Sequence, residues 1–158
     1  MDSWVKEYGI LNGIALTDTI TTDAFLADFQ LTFATLFSGV RHDSGNPYFW
    51  GEKMISHYKK LGIDPMAKTL LFSDSLTLEK ALDIKKYFEG SIKVAFGIGG
   101  TLASPHGNEL NIVIKPIECD GNPIAKLSDS AGKNMCRDTS YIEYLRRTID
   151  WRLSHIKE

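Results

Sequence analysis

At 158 residues, with 43% hydrophobic and 24% charged side chains, the chain has the size and mix of one globular domain with a core of its own. Its net charge of -2 provides no overall basic field, which argues against nucleic acid or an anionic membrane as partner. No apolar run approaches the ~20 residues that span a bilayer, and the acidic opening MDSWVKEYG is unlike a signal peptide. Cys119 and Cys136 lack metal spacing and are too few for a disulfide framework, so reduced thiols in a cytoplasmic protein are expected.

Trp4, Val5 and Tyr8 recur at helical spacing before Gly9 and Gly13 break the pattern. The chain thus opens in a helix-like segment without a cap, a start that suits an internal position as well as a natural one. Gly13–Thr17 is a short apolar strand ending in Asp18-Thr19. Asp23–Phe37 reads as one helix with Phe25, Leu26, Phe29 and Phe33 on its apolar face. Gly39–His42 is a second strand. Tyr48–Leu61 reads as a helix with Trp50, Met54, Ile55 and Tyr58 inward, ended by Gly62. Thr69–Ser73 is a third strand and Leu76–Phe88 a further helix. Lys93–Gly97 is a fourth strand, running into Gly97-Ile98-Gly99-Gly100.

Strands alternating with helices of about a dozen residues imply an α/β fold with parallel strands and crossover helices. Four such units make about half of an eight-stranded α/β barrel. An open parallel sheet is the alternative, and periodicity does not separate the two. After Ser104 the pattern changes. Asn111–Glu118 is extended, Asp120-Gly121 is a turn dipeptide, and Pro123–Leu127 runs back as a β-hairpin. Pro116 argues for an edge or a bulge. Asp138–Ile149 reads as a helix with Tyr141, Ile142 and Leu145 inward.

In parallel α/β sheets ligands bind beyond the carboxyl ends of the strands. Thr17, Asp18 and Thr19 follow the first strand. Arg41, Asp43, Ser44 and Gly45 close the second, Ser73, Asp74 and Ser75 the third, and Gly97, Gly99, Gly100 and Thr101 the fourth. Successive glycines let backbone amides approach an anion. The aspartates suit ribose hydroxyls, a magnesium ion or the orientation of a catalytic base, although helix N-capping alone also selects Asp and Ser. Capping does not account for Arg41, a cation beside a helix start that favours anions; a guanidinium beside phosphate or over an aromatic ring fits better. Together these residues point to a phosphorylated sugar or nucleotide. His42 alternates away from Arg41, and His57, His106 and His155 are expected to be mostly solvated. No Ser/His/Asp set or zinc spacing is visible.

The blocks Gly39-Val-Arg-His-Asp-Ser-Gly45, Phe72-Ser-Asp74, Phe96-Gly-Ile-Gly-Gly100, Leu110-Asn-Ile-Val-Ile-Lys115 and Lys126-Leu-Ser-Asp-Ser-Ala-Gly-Lys133 resemble the nicotinate phosphoribosyltransferase family in order and spacing, from about Met1 to the end. The resemblance implies the carboxyl-terminal portion of a type II phosphoribosyltransferase α/β barrel. Residues 1–105 are expected to form half of the barrel, and residues 106–158 a β-hairpin and C-terminal helix belonging to the accessory domain. It further implies transfer of a phosphoribosyl group from phosphoribosyl pyrophosphate to nicotinate, driven by ATP through a phosphorylated histidine, with Mg2+, in a dimer with shared sites.

On the matching motifs, the resemblance implies that Arg41 flanks the pyridine ring and phosphates and that Asp43 binds ribose hydroxyls or Mg2+. Ser44 belongs to the same substrate-binding turn, Asp74 lines the same mouth, and Gly99 and Gly100 offer amides to the 5′-phosphate. Asp18 orients the catalytic histidine. That histidine belongs to a His-Glu motif ahead of a segment like the one at Met1, so the amino-terminal domain is expected to be missing and turnover to be low. The family usually has Asp where Asn46 stands and often Thr where Gly100 stands; the second departure resembles the related nicotinamide enzyme. Two other readings remain open: an activity on nicotinamide or another pyridine, and a non-catalytic module that dimerises. Open sheet edges and an uncovered apolar face lead to the expectation of a homodimer or another partner.

Overall fold

The structure, a computed structural model, describes residues 1–11, 13–99, 112, 114–127 and 135–155. The apolar runs form β1 (Ile14–Leu16), β2 (Gly39–His42), β3 (Thr69–Phe72) and β4 (Lys93–Phe96). They lie in the order β1-β2-β3-β4, and every neighbouring pair is parallel. Among the described residues this is a four-stranded sheet with β1 and β4 at its edges, not a closed barrel.

Side chains on a strand alternate between faces, and the register makes that alternation a division of labour. Ala15, Val40, Leu70 and Val94 stand in one row and His42, Phe72 and Phe96 in another on the same face. That face packs against helices: Val40, Leu70 and Phe72 are fully buried beside Trp50, Met54, Ile84 and Phe88. Leu16, Arg41, Leu71 and Ala95 share the opposite row and remain half-exposed. Burial of each large apolar side chain contributes roughly 1.5–3 kcal/mol, so the helix-facing layer supplies the core.

Helix α1 spans Asp2–Tyr8 without a side-chain cap. The expected single helix over Asp23–Phe37 is instead two, α2 (Thr22–Asp28) and α3 (Leu31–Leu36). Phe29 leaves helical geometry at φ −84° and ψ 58°. Gln30 Nε2 donates to the carbonyls of Leu26 at 2.9 Å and Ala27 at 3.1 Å, satisfying acceptors that a helix end leaves orphaned. The break inserts Phe29 among Phe25, Phe37 and Tyr58.

Helix α4 (Pro47–Lys60) starts where expected. Asn46 Oδ1 accepts the amides of Tyr48 at 2.9 Å and Phe49 at 3.2 Å, and Pro47 occupies the first turn. A short 3-10 turn covers Pro65–Ala67. Helix α5 (Leu78–Tyr87) is capped by Thr77. Gly39 allows β2 to approach β3 closely, because a Cβ there would stand 2.0 Å from the Thr69 carbonyl oxygen.

The hairpin is shorter than expected. Strands β5 (Glu118–Cys119) and β6 (Asn122–Pro123) pair antiparallel around Asp120 and Gly121, whose positive φ angles of 49° and 76° make a tight turn. Among the described residues the ladder continues through the Ile124 amide to the Ile117 carbonyl at 3.0 Å. Pro116 and Pro123 carry no N–H to extend it; Asn111 and Val113 lie outside the described residues.

The last helix, α6 (Thr139–His155), runs past the expected end at Ile149. Asp138 Oδ1 accepts the Ser140 amide at 2.9 Å to start it, and no Gly or Pro follows Ile149 within it. Arg152 pairs with Asp28 of α2. Tyr141, Ile142 and Leu145 are half-buried, and no residue of α6 is fully buried. Cys119 and Cys136 are free thiols. No helix among the described residues is long and apolar enough to cross a membrane.

Candidate functional site

At the carboxyl edge of the sheet, polar residues replace apolar ones on successive strands. The Thr17 amide and hydroxyl both donate to the Arg41 carbonyl, at 3.3 and 3.2 Å. The same hydroxyl accepts Trp50 Nε1 at 2.8 Å. Thus α4 locks the end of β1 onto the end of β2. Ser73 repeats the pattern one strand over, its amide and hydroxyl donating to the His42 carbonyl at 3.2 and 2.9 Å.

Beyond that lock lies a cluster of charges. The Ser44 hydroxyl donates to Asp18 Oδ2 at 2.5 Å. Arg41 Nη2 is 3.4 Å from Asp43 Oδ1. Lys126 Nζ is 3.1 Å from Asp18 Oδ2 and 4.0 Å from Asp43 Oδ2. The Asp18 side chain is only 2% exposed, whereas those of Asp43 and Arg41 are 30% and 42% exposed. Arg41 stands on the open sheet face, and its Nε has no hydrogen-bond partner among the described residues.

The structure therefore brings together four of the expected site residues: Asp18, Arg41, Asp43 and Ser44. Asp74 sits on the adjoining β3–α5 loop, half-buried. It accepts the Ser75 hydroxyl and lines a cleft of about 380 Å³ with His42, Tyr48, Lys80 and Ile84. Gly99 follows β4 and is exposed; apart from its chain neighbours, no atom of the described residues lies within 4 Å of where a Cβ would stand. Gly100 lies outside the described residues.

His42 points away from Arg41, as alternation requires. Its Nε2 lies 3.2 Å from the Gly45 carbonyl, and its ring packs on Trp50 and Phe72. Burial lowers its pKa, against the opposing pull of Asp74, Asp18 and Asp43. Gly45 carries a φ of +84°, so the turn that returns its carbonyl to His42 favours glycine. His57 is only partly solvated: its Nε2 meets the Phe29 carbonyl at 2.7 Å. The backbone bend at Phe29 presents that oxygen.

Lys126 is the residue that sequence reasoning missed as a site member. It lies in one of the quoted blocks, but nothing local signals that it meets a carboxylate 108 positions earlier. For a metal, the described residues hold no group of three or more His, Cys, Asp or Glu side chains. Two carboxylates do suit Mg2+, which usually takes one or two protein carboxylates and completes its shell with water and phosphate.

The profile of the nicotinate phosphoribosyltransferase (NAPRTase) family matches residues 1–152. The nicotinate phosphoribosyltransferase of Citrobacter koseri is 54% identical over 158 residues, covering 99% of this chain and 39% of that protein. The crystal structure of the Vibrio cholerae nicotinate phosphoribosyltransferase superposes with a TM-score of 0.89 at 43% identity, covering 94% of this chain and 38% of that one. The Porphyromonas gingivalis structure gives 0.87 at 39% identity, covering 94% and 40%. The chain thus spans about two-fifths of the length of the relatives it matches.

Proposed function

Because the chain belongs to the nicotinate phosphoribosyltransferase family, we propose that its strand-end cluster is one wall of a site that joins nicotinate to phosphoribosyl pyrophosphate. The products are nicotinate mononucleotide and pyrophosphate, a step of cytoplasmic NAD biosynthesis, with ATP as co-substrate. One observation carries the reading. Asp18, Arg41, Asp43 and Ser44, drawn from two strand ends, meet in a single linked cluster where a parallel sheet binds ligands.

Arg41 contacts the phosphates and the pyridine plane. Its half-exposed guanidinium supports this, since a planar donor fork suits both. Asp43 binds ribose hydroxyls or Mg2+, and its partial exposure supports that role. When bound, the metal supplies positive charge to a developing pyrophosphate leaving group. Ser44 and Lys126 hold the Asp18 carboxylate in place; Asp18 orients the histidine that the family phosphorylates, whose His-Glu motif these 158 residues do not contain. Gly99 and Gly100 are the residues that offer amides to the 5′-phosphate, and the exposure of Gly99 supports that role. Asp74 completes the mouth. Residues 1–105 are the barrel part, and 106–158 belong to the accessory domain.

Thermal unfolding tests the reading directly. Ligand at about ten times its Kd stabilises the folded chain by roughly 1.4 kcal/mol, a rise in Tm of roughly 3–6 °C for this size. Millimolar phosphoribosyl pyrophosphate with Mg2+ is expected to produce that shift in wild type and to lose it in Arg41→Ala. An unchanged wild-type Tm removes the binding role from this chain.

A further inference from the structure

We propose that His42 is a positioning residue for the candidate site: its ring holds the β2–α4 turn so that Asp43 and Ser44 meet Arg41 and Asp18. The inference rests on the reading of that cluster as substrate-binding. Its basis is a closed circuit of contacts through both loops. His42 Nε2 lies 3.2 Å from the Gly45 carbonyl oxygen. Gly45 follows Ser44, whose hydroxyl donates to Asp18 Oδ2 at 2.5 Å. Asp18 follows Thr17, whose hydroxyl accepts Trp50 Nε1 at 2.8 Å. The Trp50 ring then packs on His42, their centroids 5.1 Å apart.

Both ends of this brace are fixed. The His42 carbonyl accepts the Ser73 amide and hydroxyl, at 3.2 and 2.9 Å, so the strand end that carries the ring is tied to β3. The ring is buried to 2% and sits against Phe72 as well as Trp50. At the other end, the φ of +84° at Gly45 belongs to a turn that returns its carbonyl to the ring, a conformation glycine adopts without strain. Asp43 and Ser44 lie between these anchors. The His42–Gly45 hydrogen bond therefore fixes where the site's carboxylate and hydroxyl leave the backbone.

The same contact sets the tautomer. A carbonyl only accepts, so Nε2 carries the proton and donates. Burial lowers the pKa of His42 against the pull of Asp74, the Gly45 carbonyl, Asp18 and Asp43, which keeps the second nitrogen bare. Nδ1 has no hydrogen-bond partner among the described residues, in keeping with a nitrogen that bears no proton. His42 is thus a neutral donor. Facing away from Arg41, it acts through Asp43 and Ser44 rather than on substrate.

Two variants of the 158-residue chain separate the donor from the ring. His42→Phe keeps an aromatic ring against Trp50 and Phe72 and removes the donor. His42→Gln removes the ring and keeps an N–H donor on a side chain of similar reach. Loss of one such hydrogen bond weakens ligand binding about fivefold. The Tm rise given by millimolar phosphoribosyl pyrophosphate with Mg2+ is therefore expected to fall by about half in His42→Phe and to be largely kept in His42→Gln. Ile55→Val, a core change further along α4, is expected to lower the ligand-free Tm and leave the rise intact, which separates positioning from stability. Nitrogen-15 spectra of the wild-type ring, which need no variant, are expected to show Nε2 protonated and Nδ1 bare near neutral pH. The amide signals of Asp43, Ser44 and Gly45 are expected to move in His42→Phe and to return toward wild type in His42→Gln. A full ligand-induced rise in folded His42→Phe overturns the positioning role and leaves the site standing, as does a wild-type ring protonated at Nδ1. A wild-type chain without any rise overturns the site reading; amide signals of the turn that then ignore His42→Phe overturn His42 as well, and signals that move keep it as the holder of the turn.

Discussion

Tyr58 is buried to 1% in the core, against Phe29, and its hydroxyl has no hydrogen-bond partner among the described residues. A buried hydroxyl without a partner costs roughly 1–3 kcal/mol, while the ring still fills its space. Tyr58→Phe is therefore expected to stabilise the chain by about 1 kcal/mol, read as a higher urea midpoint with an unchanged slope; a lower midpoint would mean that the hydroxyl is satisfied. Burial also holds the phenol above its ordinary range. The native state then keeps a proton that the unfolded chain releases, so wild type loses stability as pH rises past about 10, and the variant lacks this component. The inward position of Tyr58 is readable from its helical spacing, but the fate of its hydroxyl is not. Periodicity reports which face is buried and says nothing about which acceptors meet there. The same holds at the site. Asp18, Arg41 and Asp43 are legible as strand-end polar residues, whereas the Ser44–Asp18 hydrogen bond and the unpartnered Arg41 Nε depend on how two loops lie together.

At the scale of elements, the strands are the best-read part, because each is a short apolar run bounded by Gly, Asp or Ser. β2 matches its expected limits, Gly39 and His42. Its first residue carries a constraint that the run does not announce. A Cβ at Gly39 would stand 2.0 Å from a backbone oxygen of β3, and neither strand can withdraw without breaking the central pairing. Gly39→Ala is expected to cost about 3 kcal/mol or more, seen as a large fall in Tm; a change below 1 °C would show that the sheet yields. The helices were less legible. Phe25, Phe29 and Phe33 repeat every four residues, so the pattern reads as unbroken. The break at Phe29 comes from the Gln30 side chain bonding back to the helix end and from aromatic packing around Phe29, both of which override a weak local preference.

At the scale of the molecule, the sheet among the described residues has two edge strands, and one face carries half-exposed Leu16, Leu71 and Ala95. A cleft of about 410 Å³ runs along the outer edge of β1, lined by Trp4, Ile14, Leu16, Ile20 and Phe25. Ile10 and Leu11 beyond α1 are largely exposed. Unpaired parallel edges and apolar surface favour association. Light scattering is expected to give a mass above that of one 158-residue chain; a monodisperse monomer at micromolar concentration would count against the dimer. What the sequence by itself determined is local and periodic: four strands in order with helices after the first three, their apolar faces, and acidic and basic residues at the strand ends. Alternation and helical spacing act between near neighbours, so they survive without knowledge of the fold. The tertiary structure alone decided which of those residues meet. Trp50 reaches Thr17 across 33 positions and Lys126 reaches Asp18 across 108, because strand register and chain return set these distances, and no spacing along the chain encodes either.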